Sequence, residues 1–274
     1  MSRHRFRRLV LTAMAALAMV IGSFAAAAQT AASEDPWPDL ARTLFGDRAL
    51  LDGADVIALE TPTRAEDAAI VPLTVRSLVP PDASRYLKAL TVVIDENPAP
   101  VAATFGFGPK AGVTALSTRV RVNSYTNVHA VAEFSDGKLY MVRSFVKASG
   151  GCSAPALKDA SAARTQLGEM RLRQFEPASS GSAETSREAQ LSIRHPNNSG
   201  LQMDQVTHLY IPAHFVDELK ITQGDDVILT MQGGISISEN PSLRFTFVPN
   251  GAPFRAEAVD TERKVYKGEW RAGF

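Results

Sequence analysis

The chain contains one cysteine, Cys152, in the run Ser-Gly-Gly-Cys-Ser-Ala-Pro that spans residues 149–155. A single thiol cannot form an internal disulfide. Gly150 and Gly151 carry no side-chain bulk and loosen the backbone in front of it. Because the flanking residues form no apolar run that would bury the sulfur, we expect an exposed or pocket-delivered thiol on a flexible arm rather than an inert core cysteine.

The chemistry of such a thiol depends on how firmly it is positioned. A catalytic cysteine needs a fixed base and an orienting group beside it. A glycine-rich arm supplies neither, whereas a carrier thiol has to move into the active site of another protein. The pattern therefore favours covalent carriage of a group on Cys152 over catalysis, and we expect the protein not to be an enzyme.

Other chemistry-bearing residues are sparse. His129, His195, His208 and His214 lie outside any paired-cysteine or His-Glu-x-x-His pattern, so we expect structural roles for them and no bound metal. No phosphate-binding loop or hydrolase motif is present, and we expect no cofactor.

The first 28 residues have the form of a secretory signal peptide. Arg3, Arg5, Arg7 and Arg8 precede a short apolar run, and three alanines stand before Gln29. The sequence thus predicts export to the periplasm, with the general secretory route and the twin-arginine route equally compatible with Arg7-Arg8. Later apolar stretches are too short to span a membrane, so we expect no membrane segment in the mature form.

The net charge of the chain without its predicted leader bears on which class of partner it can bind. Removing the four leader arginines from 29 basic residues leaves 25 against 29 acidic residues, a net charge of −4. A mildly acidic surface argues against binding to nucleic acid.

The elements that must position Cys152 are predicted to be mostly β-strands. A short helix is expected at 39–46, where Leu40, Leu44 and Phe45 share one face. Alternating or β-branched runs predict strands at 70–78, 87–94, 101–107, 116–122, 128–134, 139–146, 169–175, 190–195, 207–211, 216–221, 226–231, 243–248, 254–259 and 263–270. Asp136-Gly137 predicts a hairpin turn.

The spacing of these strands indicates an all-β chain with two antiparallel sandwiches. We expect a first domain at 35–152, a small-residue linker at 153–167 and a second domain at 168–274, with a long flexible loop at 177–187.

Several motifs resemble known sulfur-oxidation proteins. Residues 70–107, the run 117–122 and the closing Gly150-Gly151-Cys152 are similar to the SoxY sulfur-carrier subunit. His195-Pro196, Ser199-Gly200 and the run 235–241 are similar to SoxZ. The chain as a whole resembles the fused SoxYZ-like carriers associated with periplasmic quinoprotein (PQQ-dependent) alcohol dehydrogenases.

The resemblance implies two immunoglobulin-like sandwiches in tandem, with Cys152 matching the cysteine that carries sulfur intermediates and Gly150 and Gly151 matching the glycines of its swinging arm. The implied cargo is a thiosulfate- or sulfane-type group, and the implied partners are periplasmic sulfur-oxidation enzymes or quinoprotein dehydrogenase and cytochrome partners. In the family the arm ends the chain. Here Pro155 and a second domain follow, which tethers the arm at both ends.

Two alternatives to the carrier stay open from the sequence. One is a non-covalent binding or scaffold module for a quinoprotein dehydrogenase system, in which the thiol is incidental. The other is a thiol enzyme acting alone, which no accompanying base or oxyanion group supports.

Overall fold

The computed structural model describes residues 35–80, 85–155, 166–175 and 186–273. The predicted signal peptide at 1–28 lies outside the described residues, as do most of the predicted linker at 153–167 and most of the predicted loop at 177–187. Within the described residues, no helix is long and apolar enough to cross a membrane.

Strands dominate the described chain, which confirms the all-β prediction. The elements are α1 (Trp37–Phe45), β1 (Leu50–Asp52), β2 (Ile57–Glu60), β3 (Val71–Ser77), β4 (Leu87–Ile94), β5 (Val101–Phe107), β6 (Ala115–Val120), β7 (Thr126–Phe134), β8 (Leu139–Val146), β9 (Met170–Phe175), β10 (Arg187–Ile193), β11 (Val216–Gln223), β12 (Asp226–Gly233), β13 (Ser242–Phe247), β14 (Phe254–Asp260) and β15 (Val265–Trp270).

The strands form two sheets arranged as a sandwich. One sheet has nine strands in the order β1-β8-β7-β4-β5-β12-β11-β14-β15, and the other has six in the order β2-β3-β6-β13-β10-β9. In both sheets the strands before Cys152 occupy one side and the strands after it occupy the other. The two halves therefore meet twice, through the antiparallel pairs β5–β12 and β6–β13.

Alternation along the strands explains which face each one buries. In β3, Val71, Leu73 and Val75 are buried while Pro72 and Arg76 are exposed, because successive side chains of a strand point to opposite faces. The same period-2 pattern runs through β14. The buried faces of both halves join one hydrophobic core, which includes Phe105, Phe134, Phe245, Phe247 and Phe254.

The predicted hairpin at Asp136-Gly137 is confirmed. It joins the antiparallel strands β7 and β8, and Gly137 has a φ of 79°, a left-handed conformation that glycine adopts without strain. The Asp136 carboxylate accepts a hydrogen bond from the backbone N–H of Lys138.

Two parts of the strand prediction are wrong. Residues 207–211 form no strand: they lie in the loop between β10 and β11, where Tyr210 forms an isolated bridge with Met203. Thr207 instead donates to the Asp204 carboxylate from both its backbone N–H and its hydroxyl, which closes a turn. The short strands β1 and β2 were not predicted, because three or four residues show too little alternation.

Candidate functional site

Cys152 lies in a short segment that follows strand β8, here called the thiol segment (residues 147–155). Its backbone is hydrogen-bonded to the chain that leaves strand β6: the N–H of Gly150 donates to the carbonyl of Asn123 over 2.8 Å, and that of Gly151 donates to the carbonyl of Val122 over 3.0 Å. Gly150 has a φ of 77°, which a residue with a side chain adopts only with strain. The segment is thus pinned immediately before the cysteine.

Gly151 lies where the backbone of two other segments leaves no room for a side chain. A Cβ atom built on it would lie 2.0 Å from the carbonyl oxygen of Ala68 and 2.6 Å from that of Val122. Sequence analysis assigned both glycines to flexibility. The structure gives Gly151 a packing role and Gly150 a conformational one, and the flexibility of the arm stays a prediction.

The thiol is buried. Cys152 is 0% exposed, so the prediction of an exposed thiol is wrong for this structure. The cover comes in part from the second half of the chain, where the Ser199 hydroxyl donates a hydrogen bond to the carbonyl of Cys152. Local composition could not show this contact, because its two residues are 47 positions apart.

Arg121 is the charged side chain that acts on the thiol. It follows β6, is 0% exposed, and donates from Nη1 to the carbonyl of Gly151 over 3.2 Å and from Nη2 to the carbonyl of Asn197 over 3.3 Å. One guanidinium therefore connects the thiol segment to the second half. Its Nε is buried without a hydrogen-bond partner among the described residues.

The backbone of Arg121 is held by hydrogen bonds to Ser236 and Asn97. Its N–H donates to the carbonyl of Ser236, and its own carbonyl accepts from the side-chain amide of Asn97, which also donates to the Ser236 hydroxyl. The Asn97 side-chain oxygen in turn accepts the N–H of Asn123. The buried side-chain amide of Asn97 thereby links the backbone that follows β6 to the second half of the chain.

Electrostatics keep the enclosed thiol in its neutral form. Burial raises the pKa of Cys152, and the positive charge of Arg121 opposes that increase only in part. Burial likewise lowers the pKa of Arg121, against the attraction of Glu239, Cys152 and Asp67. Since the thiolate is the reactive form of cysteine, the enclosed Cys152 is chemically quiet.

Two histidines of the second half, His195 and His214, form a separate cluster around Asp260. The sequence does not predict this cluster. The Asp260 carboxylate is buried and accepts from His214 Nε2 over 2.8 Å and from the Tyr266 hydroxyl over 2.7 Å, while His195 Nε2 lies 3.5 Å away. Burial raises the pKa of Asp260, but these hydrogen bonds and one from the backbone of Lys264 lower it to about 2.

His195, His214 and Asp260 place three possible metal-ligand atoms within 4.8 Å of one another. Their hydrogen bonding favours a network over a metal site. The N–H of Asn197 donates to His195 Nδ1 over 3.1 Å, so neutral His195 carries its proton on Nε2. A metal would need the lone pair of that same Nε2 atom. His129 is elsewhere, buried and 3.0 Å from the Asp95 carboxylate through Nδ1.

The sequence therefore predicts the thiol but not its surroundings. Arg121, Asn197 and Ser199 come from distant parts of the chain. Arg121 and Ser199 lie inside motifs quoted above, but no pattern in the sequence places either of them beside the thiol. Arg121 carried no such signal: in the alternating run 116–122 it takes a polar position, where a charged residue is expected to face solvent, yet the structure buries it.

Comparison with known proteins gives a consistent assignment for both halves. Residues 41–152 match the family model of the sulfur oxidation protein SoxY, and residues 176–271 match that of the sulphur oxidation protein SoxZ. The SoxY match ends at Cys152. No curated protein matches the chain.

Solved structures give weaker likenesses. The sulfur carrier protein SoxY from Chlorobium limicola f thiosulfatophilum is 26% identical, covers 41% of this chain and 91% of its own, and has a TM-score of 0.35. A superoxide reductase (neelaredoxin) from Ignicoccus hospitalis is 12% identical, covers 34% of this chain and 79% of its own, and has a TM-score of 0.31. Neither score carries an argument about this chain. The two family matches do: the chain belongs to the SoxY and SoxZ families of sulfur-oxidation carrier proteins, with one domain of each in tandem on a single polypeptide.

Proposed function

We propose that this protein is a periplasmic carrier that holds a sulfur intermediate covalently on Cys152 and presents it to partner enzymes. The observation that carries the proposal is the position of the thiol. The chain's single cysteine is the last residue of the SoxY match and directly follows Gly150 and Gly151.

The buried thiol requires that carriage begin with an opening step. The contacts to be broken are few: the Ser199 hydroxyl on the Cys152 carbonyl, Arg121 on the Gly151 carbonyl, and the backbone bonds of Gly150 and Gly151. Each such hydrogen bond contributes about 1 kcal/mol net, so a partner that binds the released segment can compensate for their loss. The enclosed state protects the thiol between transfers.

Loading also requires an oxidant. When thiosulfate joins a thiol, an S–S bond forms, the thiol proton leaves, and two electrons leave with it: RSH + S₂O₃²⁻ → RS–S–SO₃⁻ + H⁺ + 2e⁻. The chain contains no second cysteine, so no internal disulfide can serve as the oxidant and take those electrons. A partner with an electron acceptor, such as a cytochrome, would have to take them. This need agrees with a carrier that works with enzymes rather than alone.

The test is the intact mass of the protein purified without reductant from its native cells grown with thiosulfate. We expect a sulfur adduct that peptide mapping places on Cys152 and that reductant removes. Cys152→Ser should abolish thiosulfate-dependent electron transfer in those cells. An unmodified thiol under all growth conditions, together with a fully functional Cys152→Ser variant, would overturn the proposal.

A scaffold for a periplasmic quinoprotein dehydrogenase system is a second candidate, favoured by one observation. The loop after Ser199 exposes large apolar side chains: Val206 is 88% exposed, Leu209 68% and Tyr210 67%. Such a group of apolar side chains is typical of a surface that binds another protein. Retention of partner binding and of the growth phenotype in Cys152→Ala would favour this function over carriage.

A further inference from the structure

A polar cavity of about 560 Å³ opens on the outer face of the six-stranded sheet, where the two halves of the chain meet. Strands β6 and β13 pair there over only two residues each, Arg244 with Ser117 and Phe245 with Leu116. Beyond this short pairing the surface is recessed. The cavity is lined by residues from β3, β6, β9, β10 and β13 and from the turns beside them.

Positive charge dominates the lining. Four arginines line the cavity, against one carboxylate: the arginines are Arg119, Arg171, Arg194 and Arg244, and the carboxylate is Glu169. This excess stands out because the chain without its predicted leader carries a net charge of −4. A recessed surface lined by one sign of charge concentrates ions of the opposite sign.

The arginines differ in how far their charge is already neutralised. Arg171 pairs with Glu169 over 2.9 Å, and Arg244 pairs with Glu188. Among the described residues, Arg119 donates to one neutral group, the carbonyl of Asn240, over 2.9 Å, and it forms no ion pair, although its charge acts on the nearby Glu239 carboxyl and opposes the rise in pKa that burial causes there.

Arg194 is exposed, and no hydrogen bond or ion pair of its side chain is found within the described part of the chain. The Nε of Arg119 is buried and likewise lacks a partner there. The guanidinium of Arg194 is therefore available to an anion, and Arg119 adds a positive charge that no ion pair within the described residues neutralises.

The backbone holds the lining residues at fixed positions. The N–H of Arg194 donates to the carbonyl of Glu169 over 2.8 Å, and Ser192 lies opposite Arg171 on β9 and opposite Ser242 on β13. The hydroxyls of Ser192 and Ser242 are 3.4 Å apart between the arginines. The cavity therefore offers hydroxyl hydrogen-bond donors next to the planar guanidinium groups.

This combination matches one class of ligand. Guanidinium groups bind tetrahedral oxyanions through paired N–H donors, and hydroxyls supply further donors to the remaining oxygens. We propose that the cavity is a binding site for an oxyanion of the sulfate type, either a free inorganic ion or the anionic end of a small organic molecule. The site does not include Cys152 and goes beyond the carrier function.

The first experiment is isothermal titration of the full mature chain with sodium sulfate, with ionic strength held constant by sodium chloride. We expect one site per chain. Titration with methyl sulfate then distinguishes the two sources: tighter sulfate binding indicates the inorganic ion, and tighter methyl sulfate binding indicates an organic sulfate end group. No heat beyond the chloride control with either anion would overturn the proposal.

Two substitutions test whether the anion binds in this cavity. Arg194→Gln removes an exposed, unpaired charge, so the fold should persist, and we expect the affinity to fall about fivefold or more, as for loss of a charge-assisted hydrogen bond. Arg143→Gln, at an exposed arginine of β8 outside the cavity, is the control for net charge and should bind as the unaltered protein does. Equal weakening by both variants would show general charge screening and contradict the site.

Cys152→Ala separates this proposal from the carrier function. The variant should bind sulfate unchanged even though it cannot carry a covalent group. Retained binding in Cys152→Ala, with loss in Arg194→Gln, supports the oxyanion site whatever the fate of the carrier proposal. Loss of binding in Cys152→Ala would contradict a site independent of the thiol.

Discussion

Ser199 donates a hydrogen bond to the carbonyl of Cys152, so a residue of the SoxZ domain holds the last residue of the SoxY match in place. Ser199 Oγ also accepts the N–H of Leu201, which begins the loop carrying the exposed apolar side chains. The enclosure of the thiol is therefore shared between the two domains. A partner that displaced this loop would act directly on the cover of Cys152.

Replacement of Ser199 should weaken the contacts that keep Cys152 buried. Ser199→Ala removes the donor to the Cys152 carbonyl, a loss of about 1 kcal/mol, which corresponds to an increase of about fivefold in the open population. Alkylation of Cys152 by iodoacetamide under native conditions should accelerate by the same factor. The rate is followed by intact mass.

Ser144→Ala is the matched control for Ser199→Ala. The Ser144 hydroxyl accepts a single side-chain hydrogen bond from Thr61, and the residue belongs to the edge region of β8 rather than to the cover. Its alkylation rate should equal that of the unaltered protein. An unchanged rate in Ser199→Ala would mean that the thiol is enclosed by other contacts.

The two glycines before the cysteine should respond differently to alanine. Gly151→Ala places a methyl group 2.0 Å from the carbonyl oxygen of Ala68, so we expect a loss of more than about 3 kcal/mol in the free energy of unfolding. The methyl group of Gly150→Ala meets only Ser153 Oγ, at an ordinary contact distance of 3.9 Å, but the residue must hold a φ of 77°, which costs about 1–2 kcal/mol. Urea denaturation measures both.

Equal losses in Gly151→Ala and Gly150→Ala would contradict the close packing of Gly151. If Gly151→Ala does not fold, the comparison is made by thermal denaturation with Gly137→Ala as a third variant, since Gly137 combines a φ of 79° with open space. Gly137→Ala should resemble Gly150→Ala.

The charge of Arg121 should influence the pKa of the Cys152 thiol. This positive charge lowers the pKa of Cys152 against the effect of burial, so Arg121→Met should raise that pKa further and move the midpoint of the pH dependence of alkylation to higher pH. The measurement is the pH dependence of the alkylation rate. Faster alkylation at every pH would instead show that Arg121 acts chiefly as a clasp on the carbonyl of Gly151.

Arg119→Met is the control for Arg121→Met. It removes the same charge two positions away on β6, where the side chain lines the outer cavity and donates to Asn240. The pKa of Cys152 should not change in this variant. An equal shift in both variants would mean that net charge, rather than the buried guanidinium, sets the pKa.

Period-2 alternation predicted most of the strands because it reports which face of a strand is buried. The bounds of β4, β5 and β8 agree with the sequence prediction residue for residue. The same alternation gave no warning that 207–211 is a loop, since Asp204 closes a turn through contacts that a pattern of apolar residues does not encode.

The site was harder to predict because its cover is made by long-range contacts. The segment around Cys152 contains only small residues and looks exposed, yet Arg121 and Ser199 bury it from 31 and 47 positions away along the chain. The cluster around Asp260 was missed for the same reason. His214 and Asp260 are 46 positions apart, and their meeting depends on how β11 and β14 pair.

The buried histidine of that cluster should make stability depend on pH. Burial, followed by the nearby His214, lowers the pKa of His195 from 6.5 to about 4. The unfolded chain therefore binds a proton as the pH falls below 6.5, while folded His195 binds it only near pH 4. Stability should be unaffected by His195 above pH 6.5 and should fall between pH 6.5 and 4 by on the order of 3 kcal/mol.

Urea denaturation at pH 7.5 and pH 4.5 measures this dependence. His195→Gln should flatten it, because an amide does not titrate, although its absolute stability will fall with the loss of packing. His208→Asn is the control: His208 is exposed and has a φ of 56°, which asparagine tolerates, so the pH dependence should persist. A His195→Gln variant that keeps the full dependence would assign it to the other groups of the cluster, with Asp260 titrating near pH 2 rather than in this range.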